Sequence, residues 1–268
     1  DEGTTWTKYV DNPVLDLGMT DFRDPKVSWD ESNQSWLMTV AKPLEHKIAF
    51  FSSPDLKSWT HLSDFGPMAA TGGCWECPDL FPLQTPSGET RWVLIVSLNP
   101  GGIAGGSGTQ YFIGDWDGKT FTPSHTDTKW IDYGRDNYAG VTFSNTPDNR
   151  RIFLGWMSNW DYAAKLDSQV WRGSMTSPRE LQIIEVGNEL YLSALPIAEL
   201  KPAHDYSFAI SHHEDSEITI SDGEEKVLIH FNSATKTISV DRSNAWFSQF
   251  EEKIQTTSPI YLGNFTIR

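Results

Sequence analysis

Arg23-Asp24-Pro25-Lys26-Val27-Ser28-Trp29, a polar turn from Asp30 to Ser35, and Trp36-Leu37-Met38-Thr39-Val40-Ala41 read as two strands of a hairpin. Short apolar-rich runs closed off by turn residues are strand chemistry. Lys47-Ile48-Ala49-Phe50-Phe51-Ser52, a turn through Ser53-Pro54-Asp55-Leu56-Lys57, and Ser58-Trp59-Thr60-His61-Leu62 extend the hairpin to four strands. The same grammar returns in Glu76-Cys77-Pro78-Asp79-Leu80-Phe81-Pro82-Leu83, in 91–98, in Thr109-Gln110-Tyr111-Phe112-Ile113-Gly114 and in Thr120-Phe121-Thr122. A third unit begins near Asp136-Asn137-Tyr138-Ala139 and runs through 151–156 to 171–175. Glu76 follows Asp24 by 52 residues, Trp92 follows Trp36 by 56, and Asp136 follows Glu76 by 60. Four-stranded repeats of about this length are the signature of β-propeller blades. No segment sustains a 3.6-residue apolar stripe, so the chain is expected to be all-β.

In a propeller the first strand of each blade lines a central channel. Asp24, Glu76 and Asp136 are therefore expected at equivalent places, converging on one pocket. A lone acid before a proline is usually turn chemistry; acids at matching places of successive repeats point to a shared site. Glu76, between Trp75 and the Cys77-Pro78 pair, reads as a proton donor, with Trp75 expected to face the same pocket. Asp24, beside Arg23, reads as the opposite wall and is expected to stay ionised. Asp136 and Tyr138 either line the funnel or serve local packing. Trp156 and Trp160 divide in the same way between core and pocket contact.

The bulk properties narrow the partners. With 268 residues and a formal charge of −15, the chain lacks the clustered Lys and Arg that nucleic acid or a polyanionic substrate requires. The longest clear apolar run, Trp92-Val93-Leu94-Ile95-Val96-Ser97-Leu98, is far short of the roughly 18 residues of a membrane span. Twelve Trp and an aromatic share of 13% make rings an unusual share of the apolar surface, part of it expected in the core and part as a sugar platform. Cys74 and Cys77 form a C-x-x-C, but no second pair or His array completes a metal site and no βαβ pattern surrounds it, so two thiols shaping a tight turn are expected. His212-His213 with Glu214 and Asp215 reads as a solvated hairpin turn, and the Gly-rich 99–108 as a flexible rim loop. No metal or cofactor is expected. The chain opens without a Met or a leader, so Asp1 is read as an internal point of a longer chain. Asn33-Gln34-Ser35 and Asn264-Phe265-Thr266 permit glycosylation, favouring a secreted, cell-surface or periplasmic protein.

The texture changes after the third unit. Residues 1–190 are assigned to propeller blades, 191–203 to a proline-bearing linker, and 204–268, with short alternating strands, to part of a β-sandwich.

Phe22-Arg23-Asp24-Pro25, Trp75-Glu76-Cys77-Pro78, Asp136-Asn137-Tyr138-Ala139, Gly155-Trp156-Met157-Ser158-Asn159-Trp160 and Trp171-Arg172-Gly173-Ser174-Met175 together resemble glycoside hydrolase family 32, the invertases, inulinases and levanases. The resemblance implies a five-bladed propeller followed by a β-sandwich, acting on fructans or sucrose with retention. It further implies Glu76 as general acid/base, Asp24 as transition-state stabiliser beside Arg23, and Trp156 as a wall of the sugar pocket. The family's nucleophile is an Asp in a Trp-Met-Asn-Asp-Pro-Asn-Gly motif, and this sequence contains no such motif. The chain is accordingly read as a fragment, from the end of the second blade onward, whose nucleophile comes from a separate N-terminal segment. Two other readings stand beside this one: a non-catalytic sugar-binding propeller, and a sialidase-like hydrolase suggested by the Asp-box-like 1–6 and 55–59.

Overall fold

The computed structural model describes residues 2–166, 172–203, 208–211, 215–222, 224–244, 255–259 and 264–267. Three antiparallel sheets carry the first part of the chain. The first runs in the order β1 (Arg23–Asp30), β2 (Ser35–Lys42), β3 (Lys47–Ser53) and β4 (Thr60–Phe65). The second has β5 (Cys74–Gln84), β6 (Thr90–Asn99), β7 (Gly108–Trp116) and β8 (Phe121–Pro123), with β9 (Lys129–Trp130) also paired to β7. The third has β10 (Tyr138–Phe143), β11 (Arg151–Trp156), β12 (Arg179–Val186) and β13 (Glu189–Pro196). Each is an up-and-down meander closed by turn chemistry. Asp55 Oδ1 accepts the N–H groups of Lys57 and Ser58, and Asp117 Oδ1 those of Lys119 and Thr120, at corresponding hairpins of the first two sheets. Such Asx turns are why the short strands end where they do.

Apolar faces stack the sheets side by side. Leu37, Phe50 and Phe65 of the first sheet pack against Trp75, Leu80, Leu94 and Phe112 of the second. On its other side the second sheet gives Phe81, Val93, Ile95 and Tyr111 to a core shared with Phe153, Leu181 and Ile183 of the third. Trp75 is 0% exposed, stacked on Phe65, and its indole N–H donates to the Ala70 carbonyl. Gly66 makes room for it: a Cβ there would come within 2.7 Å of the Trp75 ring, and its φ of +97° suits glycine.

The third sheet extends further than expected. β12 and β13 pair from Arg179↔Pro196 to Val186↔Glu189, so a linker beginning at 191 is corrected to strand up to Pro196. The reason is alternation: Leu190, Leu192 and Ala194 all reach the core shared with the second sheet. A 3-10 turn, Ala198–Ala203, follows. Beyond it lie a pair, β14 (Phe208–Ser211) with β19 (Asn264–Ile267), and a meander of β15 (Ser216–Asp222), β16 (Glu225–Asn232), β17 (Thr237–Asn244) and β18 (Gln255–Pro259). His212, His213 and Glu214 lie outside the described residues, as does Trp171. Among the described residues there is no α-helix, and no helix long and apolar enough to cross a membrane.

Candidate active site

The site is built from one irregularity used three times. Between Arg23↔Ala41 and Lys26↔Thr39, strand β1 advances three residues while β2 advances two. The same one-residue bulge separates Glu76↔Ser97 from Asp79↔Ile95, and Tyr138↔Trp156 from Val141↔Leu154. In each bulge the second residue is left-handed without being glycine: Asp24 at φ 61°, Cys77 at 48° and Ala139 at 51°. A bulge bends the strand and re-aims the side chain next to it. Non-glycine residues in this region cost roughly 1–3 kcal/mol each, a strain that gathers at functional sites. Arg23, Glu76 and Tyr138 are thus the equivalent residues of the three sheets, and they meet.

Arg23 donates from Nη2 and Nε to Glu76 Oε1, at 3.1 and 3.3 Å. The Tyr138 hydroxyl donates to Glu76 Oε2 in a short hydrogen bond. Glu76 therefore has a cation on one oxygen and a phenol on the other, while 22% of its side chain stays open to solvent. Arg23 is anchored from behind by Asp21 Oδ1, 2.5 Å from Nη1. Asp24 Oδ2 accepts the Cys77 backbone N–H at 3.0 Å and lies 3.6 Å from Cys77 Sγ. Burial first, and then the carboxylate of Glu76, push the Tyr138 phenol up, so it remains a donor at any working pH.

Burial, then the charges of Asp24 and Glu76, push the Cys77 thiol up to about 12. The thiolate is the reactive form. Native protein treated with iodoacetamide at pH 8 is therefore expected to leave Cys77 unmodified, with full alkylation once unfolded. Fragment-ion mass spectrometry, which separates Cys77 from Cys74 within one peptide, checks this.

An aromatic run leads outward. Trp156 lies 6.5 Å from Tyr138 and 5.1 Å from Trp160 between ring centroids, and Trp160 is 54% exposed. Gly173 passes so close that a Cβ would sit 2.7 Å from Trp156 Nε1.

Residues 1–194 match the family model "Glycosyl hydrolases family 32 N-terminal domain". The chain belongs to this family. Among curated family 32 proteins, the levanase of Bacillus subtilis is 44% identical over 209 residues, covering 75% of this chain and 31% of its own length. The extracellular exo-inulinase of Aspergillus awamori is 35% identical over 260 residues, covering 88% and 48%. Among solved structures, the exo-inulinase of Aspergillus awamori superposes with a TM-score of 0.91 at 31% identity, over 100% of this chain and 63% of that one. A fructofuranosidase of Schwanniomyces occidentalis complexed with fructosylnystose gives 0.83 at 27%, over 99% and 62%. The chain thus spans about half the length, or less, of these curated relatives.

Set against this family 32 geometry, several sequence expectations change. Asp24, Glu76 and Asp136 are not equivalent in register; Arg23, Glu76 and Tyr138 are. Arg23 grips Glu76 and Asp21, and Asp24 is held by Cys77. Asp136 precedes β10 and accepts a short hydrogen bond from the Tyr162 hydroxyl. Trp75 is 0% exposed and stacked on Phe65 in the core between the first two sheets, on the side of β5 opposite Glu76, as neighbours on a strand alternate. Trp156 packs against the rings of Tyr138 and Trp160. The Gly-rich loop between β6 and β7 is tied down: the Asn159 amide donates to the carbonyls of Gly105 and Arg135 and its oxygen accepts the Ser107 N–H. Sequence reasoning passed over Asp21, Cys77 as the partner of Asp24, and Asn159. The aligned prolines Pro25 and Pro78 carried the signal for the second of these.

Proposed function

We propose that the protein containing this chain hydrolyses β-fructosidic bonds of fructans or sucrose with retention of configuration. The observation that carries the reading is the half-open carboxylate of Glu76, held between Arg23 and Tyr138 with Asp24 beside it on the neighbouring bulge. Glu76 is the general acid that protonates the leaving oxygen and then the base that takes a proton from water. Its two donors, Arg23 and Tyr138, hold the carboxyl in place for that transfer. Asp24 supplies negative charge to the oxocarbenium-like transition state, where it counts more than in the ground state. A retaining enzyme needs an attacking carboxylate about 5–5.5 Å from the acid, and a segment outside this chain supplies it. Trp156 and Trp160 bear on the sugar faces.

Two further readings support completion by other parts of the protein. The face of the first sheet turned away from the second carries Val27 and Trp29, 37% and 42% exposed. The corresponding face of the third carries Val141, Phe143 and Leu195, 42%, 52% and 59% exposed. These are the surfaces that additional blades of a five-bladed propeller would cover, with the sheets after Ala203 forming part of a β-sandwich. Secretion is inferred from relatives named as extracellular.

Release of fructose from inulin, levan and sucrose by the full-length protein tests the proposal, with the anomeric configuration of the first product read by NMR. An inverted product, or no release from any of them, would refute it. Tyr138→Phe removes one hydrogen bond to a charged group, worth about 1.5–3 kcal/mol, so kcat is expected to fall on the order of 10- to 100-fold. Steady-state kinetics on sucrose check this.

A further inference from the structure

β1, β5 and β10 belong to separate sheets, so no backbone ladder joins them. Their spacing is set by side chains, and just past the three bulges a polar knot crosses all of them. Lys26 Nζ on β1 donates to the Thr142 carbonyl on β10 at 2.8 Å and lies 3.5 Å from Asp79 Oδ2 on β5. That same Asp79 oxygen accepts both the N–H and the hydroxyl of Thr142, at 3.0 and 2.7 Å. Arg151 closes the knot, its Nη1 donating to Thr142 Oγ1 at 3.3 Å while its guanidinium lies 4.7 Å over the Phe81 ring. The Asp79 side chain is 2% exposed and Thr142 2%. Lys26 and Asp79 sit three residues beyond Arg23 and Glu76, and Thr142 four beyond Tyr138, about 10–13 Å along the strands.

We propose that Lys26, Asp79 and Thr142 are positioning residues: a latch that fixes the register of the three innermost strands and thereby the distances among Arg23, Glu76 and Tyr138. This rests on the hydrolase reading above. A buried ion pair adds little net stability compared with apolar packing. What it adds is direction, since these bonds are satisfied in one register alone, whereas apolar faces tolerate sliding. Misplacing a catalytic group by about 1 Å costs on the order of 100-fold, so a directional tie close to the bulges has a use that apolar contact does not supply.

The test uses full-length protein carrying Thr142→Val, which keeps shape and backbone N–H but removes the hydroxyl, and Thr142→Ser, which restores it. Thr142→Val is expected to fold and to lose about 10- to 100-fold in kcat with KM within about threefold; Thr142→Ser returns kcat toward wild type. Iodoacetamide labelling of Cys77, which lies between the knot and Glu76, gives a readout independent of activity and is expected to quicken in Thr142→Val. Wild-type kcat and labelling rate in Thr142→Val would overturn the latch, as would a loss that Thr142→Ser fails to restore. Should Thr142→Val not fold, Asp79→Asn, which keeps the acceptor and removes the charge, is read against the same outcomes. A wild-type protein that releases no fructose refutes the hydrolase reading instead, and the latch is then decided by Cys77 labelling alone.

Discussion

Glu76→Gln is expected to lower fructose release from inulin or sucrose by about 10²–10⁴-fold, the usual contribution of a positioned general acid. The substitution is nearly isosteric. Its amide oxygen still accepts from Arg23, and the Tyr138 hydroxyl can turn to accept from the amide nitrogen, so the three-strand cluster keeps its shape. What disappears is the transferable proton. A fructoside whose leaving group departs without protonation, such as an activated aryl fructoside, should therefore lose much less of its fructosyl-transfer rate than sucrose does. Burst kinetics on the two substrates make the comparison. Equal losses on both would mean that Glu76 acts by binding, and an unchanged rate on sucrose would remove it from the mechanism.

The largest stability effect is expected at the residue next door. Trp75→Ala empties a site that is 0% exposed and lined by Phe65, Phe112 and the Gly66 backbone. Truncating a buried Trp costs about 3–5 kcal/mol, a large part of the roughly 5–15 kcal/mol by which a domain is stable. A matching fall in the denaturant midpoint is expected. Trp75→Phe, which refills most of the volume, should recover much of the stability, and KM for sucrose should be unaltered in it. A raised KM in a stable Trp75→Phe protein would return this ring to the sugar pocket.

These two neighbours show what could be read in the sequence and what could not. The sheets were legible because turn acids such as Asp55 and Asp117, and short apolar runs such as Lys47–Ser53, act locally. The family was legible because Arg23-Asp24-Pro25 and Glu76-Cys77-Pro78 stand in order. The register of the site was harder. Matching acid to acid aligns Asp24 with Glu76, whereas matching proline to proline aligns Arg23 with Glu76 and Asp24 with Cys77, which is the pairing the bulges adopt. Strand alternation alone would have sent Trp75 into the core once Glu76 was placed on the opposite side of β5. The Lys26–Asp79–Thr142 knot joins residues 53 and 63 positions apart on strands of different sheets. No local pattern marks such a contact. The extension of β13 to Pro196 was hidden by its terminal proline, which reads as a break yet sits at the strand's last position.

The convergence of Arg23, Glu76 and Tyr138 on one fructosyl group is the claim on which the functional account stands. A crystal structure of the full-length Glu76→Gln protein with a bound fructan oligosaccharide tests it most directly. The account predicts a glycosidic oxygen within hydrogen-bonding reach, about 3 Å, of the side chain at position 76, with the fructosyl ring beside Asp24 and against Trp156. A sugar bound elsewhere on the protein, with Asp24 and position 76 both remote from it, would contradict the account.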